Sequence, residues 1–377
     1  MLNDIVAIRR LLHSHPELSG CEEHTHDILA RYLQALNPTH LHTHVGGYGL
    51  VAAWYRSDQY ATVAFRADID ALPISETLVV DYRSVQEGVS HKCGHDGHAA
   101  ILLRLAEVVK AESPNVNILL IFQPEEETGK GAKKILESGV LDGYSIDAIY
   151  GFHNLPQYPI GSVVLKKGTF AAASVGAAIT MVGWQTHAAH PEEGINPAMA
   201  VADMIRLMND YNAAHRSLCD FQQSTLIYTR IGEVAFGTSA GDAQLMFTLR
   251  AYSNSKMSEL LKYLNAQLNN VALKYGVAVS VDYREPFSAV ENTDENVERL
   301  QMLASKQNKH IYVLDTPFRW SEDFAEYLVA YKGAFMGIGA GEDCMELHHP
   351  DYDFPDGLIE DAAMFLYSIA LSYQILG

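Results

Sequence analysis

Cysteine is scarce in this sequence: Cys21, Cys93, Cys219 and Cys344 are the four in 377 residues. They lie far apart and form no CxxC pair, which argues against a zinc ribbon or a dithiol redox motif. Nor do four make a disulfide scaffold in a chain of this length. Each is expected by default to be a small buried hydrophobe. Basic residues are also short, with 27 Lys and Arg against 46 Asp and Glu, a formal net charge of −19. That balance argues against nucleic acid as a partner and otherwise favours solubility. No run of about 18 apolar residues occurs, so no membrane span is expected. Residues 1–12 include Asp4, Arg9 and Arg10 and lack the apolar core of a signal peptide. A reduced, cytoplasmic protein is the expectation.

What is present is a globular composition, 48% hydrophobic and 19% charged. At about 150 residues per domain the length suggests two or three domains. Less ordinary are the 17 histidines, because histidine is the commonest metal ligand.

Apolar spacing gives the organisation. Ser19 and Glu22 form a capping-box pattern ahead of helically spaced Ile28, Leu29, Tyr32, Leu33 and Leu36. Residues 50–54, 62–65, 116–122 and 147–152 read as strands, and 99–109 and 132–136 as helices. Strands alternating with helices imply an α/β domain with a mostly parallel sheet. The pattern then changes: strand 175–182, helix 197–208, strands 225–231 and 243–250, helix 256–273 and strand 277–281. That order is βαββαβ, the ferredoxin-like split unit. Helix 296–305, strand 335–338 and helix 358–375 return to α/β character. The expected architecture is one larger domain, 1–172 with 286–377, carrying an inserted small domain, 173–285.

Five short segments concentrate the polar chemistry: 65–70, 91–98, 123–127, 152–156 and 347–350. At least three follow directly on an expected strand, and ligands of open α/β sheets bind outside the carboxyl ends of strands. Cys93, His95 and His98, with His91, offer a thiol and three imidazoles, donors that suit zinc and related ions. The ordinary alternative is an exposed helix start capped by Asp96. Adjacent carboxylates at Glu125, Glu126 and Glu127 repel one another unless a cation sits nearby. Alternatively they are a solvated helix start, where the helix dipole favours Glu. His153 and His348 are weak signals alone. By spacing, His187 and His190 read as turn histidines.

In this order the segments resemble the M20 family of metal-dependent amidohydrolases and peptidases. The likeness is strongest to its hippurate hydrolase, auxin-conjugate hydrolase and N-acetyl-diaminopimelate deacetylase branch. It runs from Arg9–Glu22 through Arg66–Pro73, Cys93–His98, Gln123–Glu127, Gly183–Pro191 and Ser321–Phe324 to Leu347–Asp356. The resemblance implies that Cys93, His95, Glu127, His153 and His348 ligate a pair of divalent ions (Zn, Mn, Co or Ni). It implies Glu126 as general acid/base and His187 as a lid histidine that reaches the active site, commonly from a dimer partner. The βαββαβ insertion then corresponds to a lid and dimerisation domain of a homodimer. The implied reaction is hydrolysis of the amide bond of a small N-acyl amino acid or peptide-like substrate. A dipeptidase or carbamoyl-type hydrolase on the same scaffold, or a non-catalytic binding protein that kept the fold, are the competing readings.

The chain also departs from the family pattern. Phe236-Gly-Thr-Ser-Ala240 stands where Asn-Val-Ile-Pro is usual, and Gln185-Thr-His187 where Gly-Gly-His is. Glu125 replaces a small residue and His349 a small polar one. The expectation is intact catalysis with unusual substrate choice.

Overall fold

The computed structural model describes residues 4–217 and 221–374, so Cys219 and the last residue of the expected closing helix lie outside the described residues. The chain divides into two compact units. The larger comprises 1–170, 290–315 and 323–377, and the smaller 171–289 with 316–322.

The larger unit is built on an eight-stranded, mostly parallel sheet. Its strands run in the spatial order His40–Val45, Gly49–Trp54, Asn117–Gln123, Thr62–Asp68, Ile146–Pro156, Gly333–Gly341, Val163–Leu165 and Ile311–Val313. Strand Thr62–Asp68 pairs in parallel with both neighbours, setting Phe65 opposite Leu120 on one side and Tyr150 on the other. Strands 49–54, 62–68 and 117–123 are buried along their whole length. Continuous apolar runs are what a sheet covered on both faces requires. The longest helix of this unit, His95–Glu112, packs on helices Ile5–Ser14, Glu23–Leu36 and Leu358–Leu371. Its Ile101, Leu102 and Leu105 join Phe65, Leu120 and Leu366 in one core. Each such side chain contributes about 1.5–3 kcal/mol when fully buried. The approach at its first turn is close: a Cβ on Gly97 would lie 2.3 Å from the Phe354 ring.

In the smaller unit four strands, Ala173–Val182, Gln222–Ile231, Asp242–Ala251 and Ala278–Phe287, form one antiparallel sheet. Helices Ala198–Ala214 and Asn254–Tyr275 pack on it, burying Met204, Met208, Leu260 and Leu264 against Ile179, Leu245 and Phe247. In spatial order the second strand lies next to the third, then the first and then the fourth. This is the split βαβ arrangement of the ferredoxin-like unit.

Two local expectations, and one alternative reading, fail for identifiable reasons. Ser19 does not cap a helix; its hydroxyl donates to Asp70 Oδ2 at 2.6 Å. The amides of His24 and Thr25 at that helix start are taken by the Glu17 carboxylate at 3.0 and 2.8 Å. The start of helix 95–112 is not exposed, and Asp96 is not its cap. Gly94 holds the cap position, and Asp96 is buried against His13 and Arg9. Cys21 is exposed rather than buried, whereas Cys93 is buried and Cys344 half-buried.

Candidate metal centre

Four chain segments of the larger unit bring donor atoms together. Cys93 and His95 come from the turn into helix 95–112, and His153 from strand Ile146–Pro156. Glu126 and Glu127 follow strand Asn117–Gln123, and His348 sits in the turn after strand Gly333–Gly341. Among these six residues three trios have ligand atoms within 4.8 Å of one another: Cys93, His95 and His153; Cys93, Glu127 and His348; and His95, Glu126 and Glu127. Cys93 Sγ lies 3.3 Å from His153 Nε2. Glu127 Oε1 lies 3.9 Å from His95 Nε2 and 3.9 Å from His348 Nε2.

Second contacts fix which ring nitrogen faces the cluster. His153 Nδ1 is 2.9 Å from the Asn154 carbonyl, and His95 Nδ1 is 2.9 Å from the Asp70 carbonyl. A carbonyl only accepts, so Nδ1 carries hydrogen in both rings and Nε2 is turned toward the cluster. Asp70 Oδ2 also accepts from the Glu127 amide at 3.0 Å and from Ser19. Asp70 thereby ties the segments carrying His95 and Glu127, the first through its main-chain carbonyl and the second through its carboxylate. Glu22 accepts from the Glu125 amide at 2.9 Å, holding the start of the same turn.

Beneath the cluster runs a buried polar network. Arg66 donates to Asp68 Oδ2 and Asp323 Oδ1, each at 2.7 Å, and to Gln123 Oε1 at 2.9 Å. Gln123 and the Ala132 amide donate in turn to Asp323. His98 Nδ1 meets Asp68 Oδ1 at 2.5 Å.

Electrostatically the cluster is poised for a cation. Burial pushes the Cys93 thiol well above its usual value, and Glu127 adds to the effect. Burial also raises Glu127 to about 7, with His95 opposing and Asp70 reinforcing. Burial drives His153 well below the usual imidazole value, helped by His98, and lowers His348, helped by His95. His95 goes the other way: burial opposes its protonation, but Asp68 and Cys93 hold it well above the usual value. A divalent cation would favour the thiolate and the carboxylate and compete with protons for the imidazoles.

Two further observations fit a metal. His95 Nε2 and Glu127 Oε1 are buried and without a hydrogen-bond partner among the described residues. Such atoms are costly unless something ligates them. The donors are thiolate, imidazole and carboxylate, the set that suits zinc and its first-row neighbours.

The sequence pattern of Peptidase family M20/M25/M40 matches residues 64–372. The chain belongs to this family. It is therefore a metal-dependent hydrolase acting on amides. Among M20 relatives, it is similar to the N-acetyl-L-cysteine deacetylase of Bacillus subtilis (strain 168). The identity is 31%, over 97% of this chain and 87% of that protein. It is 29% identical to the N-acetyldiaminopimelate deacetylase of Lactobacillus helveticus (strain DPC 4571), over 92% of this chain and 91% of that one. The fold is also that of the Bacillus subtilis YXEP protein, described as a dinuclear metal-binding peptidase from the M20 family. The TM-score is 0.85 at 24% identity, covering 99% of this chain and 98% of that one.

His187, the remaining site residue expected from sequence, belongs to the smaller unit. It is exposed, and its Nδ1 accepts from the Ala189 amide at 3.1 Å. Two of the departures from the M20 pattern are structural partners: His187 pairs with Thr238 and Thr186 with Ser239 in a two-stranded ribbon. The ribbon therefore joins the unusual 236–240 segment directly to the histidine. Glu125 is a third departure. It adopts a left-handed backbone, φ 55°, and its carboxylate pairs with Lys134. Left-handed backbone is uncommon for side chains of this size.

The sequence places Asp68 and Asp70 inside a chemistry-bearing segment without assigning them work, and offers His98 only as one donor among several imidazoles. In the structure the Asp70 carbonyl orients His95, Asp68 balances its charge, and His98 holds Asp68. The sequence signals for Asp68 and Asp70 are their position at and just past a strand end and their place in the Arg66–Pro73 segment that carries the family resemblance.

Proposed function

We propose that this M20 enzyme hydrolyses the amide bond of N-acyl amino acids, releasing the acyl group from the amine. The observation that carries the reading is the convergence of Cys93, His95, Glu127, His153 and His348 around two unsatisfied buried atoms, with Glu126 beside them. These five residues would hold two divalent ions. Such ions lower the pKa of water and polarise a carbonyl. The three-trio arrangement suits an open two-metal site better than a closed four-coordinate structural one.

In this account Glu126 takes the proton from the attacking water and later delivers it to the leaving amine, one positioned carboxylate serving both steps. Glu126 is itself buried, which limits competition from bulk water. His187 donates to the oxyanion that develops on the carbonyl, an interaction strongest in the transition state. The deacetylase names of two relatives support an acyl group of small size.

The test is a panel of N-acetyl, N-benzoyl and N-succinyl amino acids, dipeptides and ureido acids, offered to metal-loaded protein. The N-acyl amino acids are expected to be the best substrates, and His187→Ala to lower kcat on them by about 10²-fold or more. Preference for dipeptides or ureido acids would replace this reading with the peptidase or carbamoyl alternative. An unchanged kcat would remove His187 from the chemistry.

A further inference from the structure

Lys92 lies between His91 and Cys93 and is completely buried. Lysine is almost never fully buried without partners, and this one has two. Its Nζ donates to Glu76 Oε1 at 2.5 Å and to the Tyr352 carbonyl at 2.7 Å. At the other end of the residue, its own carbonyl accepts from the His348 amide at 2.7 Å. The backbone and the side chain of Lys92 therefore grip residues 348 and 352, the two ends of one short turn.

That turn needs holding. His348 has a left-handed backbone, φ 67°, and a side chain 53% exposed. Other metal-centre histidines are fixed by burial and by an Nδ1 contact to a carbonyl. Among the described residues the His348 ring makes no such hydrogen bond. What fixes His348 is its backbone. The Thr77 amide donates to the Pro350 carbonyl at 3.2 Å and the Thr77 hydroxyl to Asp351 Oδ1. Lys92 adds the grip at both ends, from the residue next to Cys93. Glu76, which holds Lys92 Nζ, is itself held by His13 Nε2 at 2.9 Å and by the Ser84 amide at 2.7 Å.

We propose that Lys92 is the positioning residue of the metal centre: its buried ammonium locks the 348–352 turn so that His348 and Cys93 are presented to the same ion as one unit. The inference rests on the ligand reading above. It predicts that the side chain acts on the metal only through His348.

The experiment measures divalent-ion affinity by competition with a chelator, using zinc alone and then cobalt alone. It uses the wild type, Lys92→Met, His348→Ala and the double variant. Lys92→Met keeps an unbranched side chain as far as Cε and removes the ammonium. Affinity is expected to fall about 10–100-fold, as when other supports of a ligand are removed, with a changed visible spectrum of the cobalt-loaded protein. In the His348→Ala background the same substitution is expected to cost little more, because coupled residues are not additive. An equal loss in both backgrounds would overturn the positioning role while leaving the ligand reading intact. Should His348→Ala bind as the wild type does, the ligand reading fails, and the inference with it. If Lys92→Met does not fold, Glu76→Gln takes its place. It loosens Nζ while leaving the Tyr352 contact, and must show the same dependence on His348.

Discussion

Glu126→Gln is expected to lower kcat by about 10²–10⁴-fold, the range that a positioned general acid/base contributes. Metal content should stay near that of the wild type. The amide keeps the shape of the carboxylate and cannot take a proton from water. Glu126 follows the buried strand Asn117–Gln123, and its ligand atom lies within 4.8 Å of those of His95 and Glu127. Its neighbour Glu127, whose Oε1 is unsatisfied, is the one assigned to the metal. Two adjacent carboxylates thus have separable work, and the pair of readouts separates them. Loss of turnover with metal retained fits a proton carrier. Loss of both would make Glu126 a ligand, and retention of full turnover would remove it from the mechanism.

Arg66→Met is expected to destabilise the larger unit by about 3–5 kcal/mol, seen as a lowered urea midpoint. The reason is not the strength of the ion pairs themselves. Arg66, Asp68 and Asp323 are all essentially without solvent contact. Removing the guanidinium takes the cationic partner from two buried carboxylates, and breaking a buried pair in this way costs far more than the intact pair contributes. Gln123 and the Ala132 amide still donate to Asp323, and His98 still meets Asp68. Those contacts keep the estimate from rising further. A cost below about 1 kcal/mol, the size of an exposed pair, would mean that the network is solvated. The variant also tests the link to the site, since Asp68 Oδ2 lies 3.7 Å from His95 Nε2.

Much of the fold was legible because apolar spacing carries it. Helix 95–112 and strand 117–123 appear where the runs of Ile, Leu and Val are densest, and the βαββαβ order followed from the sequence of short elements alone. The gathering of donors was legible in part. Strand ends at the same sheet edge made convergence of separate loops a reasonable expectation, and the motif order linked residues as distant as Cys93 and His348. What stayed hidden depends on contacts rather than patterns. A Ser three residues before a Glu reads as a cap, but Asp70 takes the Ser19 hydroxyl and Glu17 takes the free amides. Asp96 reads as a polar helix start because spacing cannot reveal that Arg9 and His13 arrive to bury it. Lys92 carries no signal at all. Its role is visible only when Glu76 and the Tyr352 carbonyl are seen at its Nζ. The allocation of residues 316–322 to the smaller unit was equally out of reach, since it rests on contacts such as that of the Ala172 amide with the Phe318 carbonyl.

The most direct test is elemental analysis coupled to turnover. Protein is stripped with a chelator, reloaded with a single divalent metal, and compared with a Cys93→Ala, His153→Ala variant treated alike. The account predicts two ions per chain in the reloaded wild type, hydrolysis of an N-acetyl amino acid that appears only on reloading, and loss of both metal and turnover in the variant. Full turnover by the stripped protein, or unchanged metal content in the variant, would contradict it.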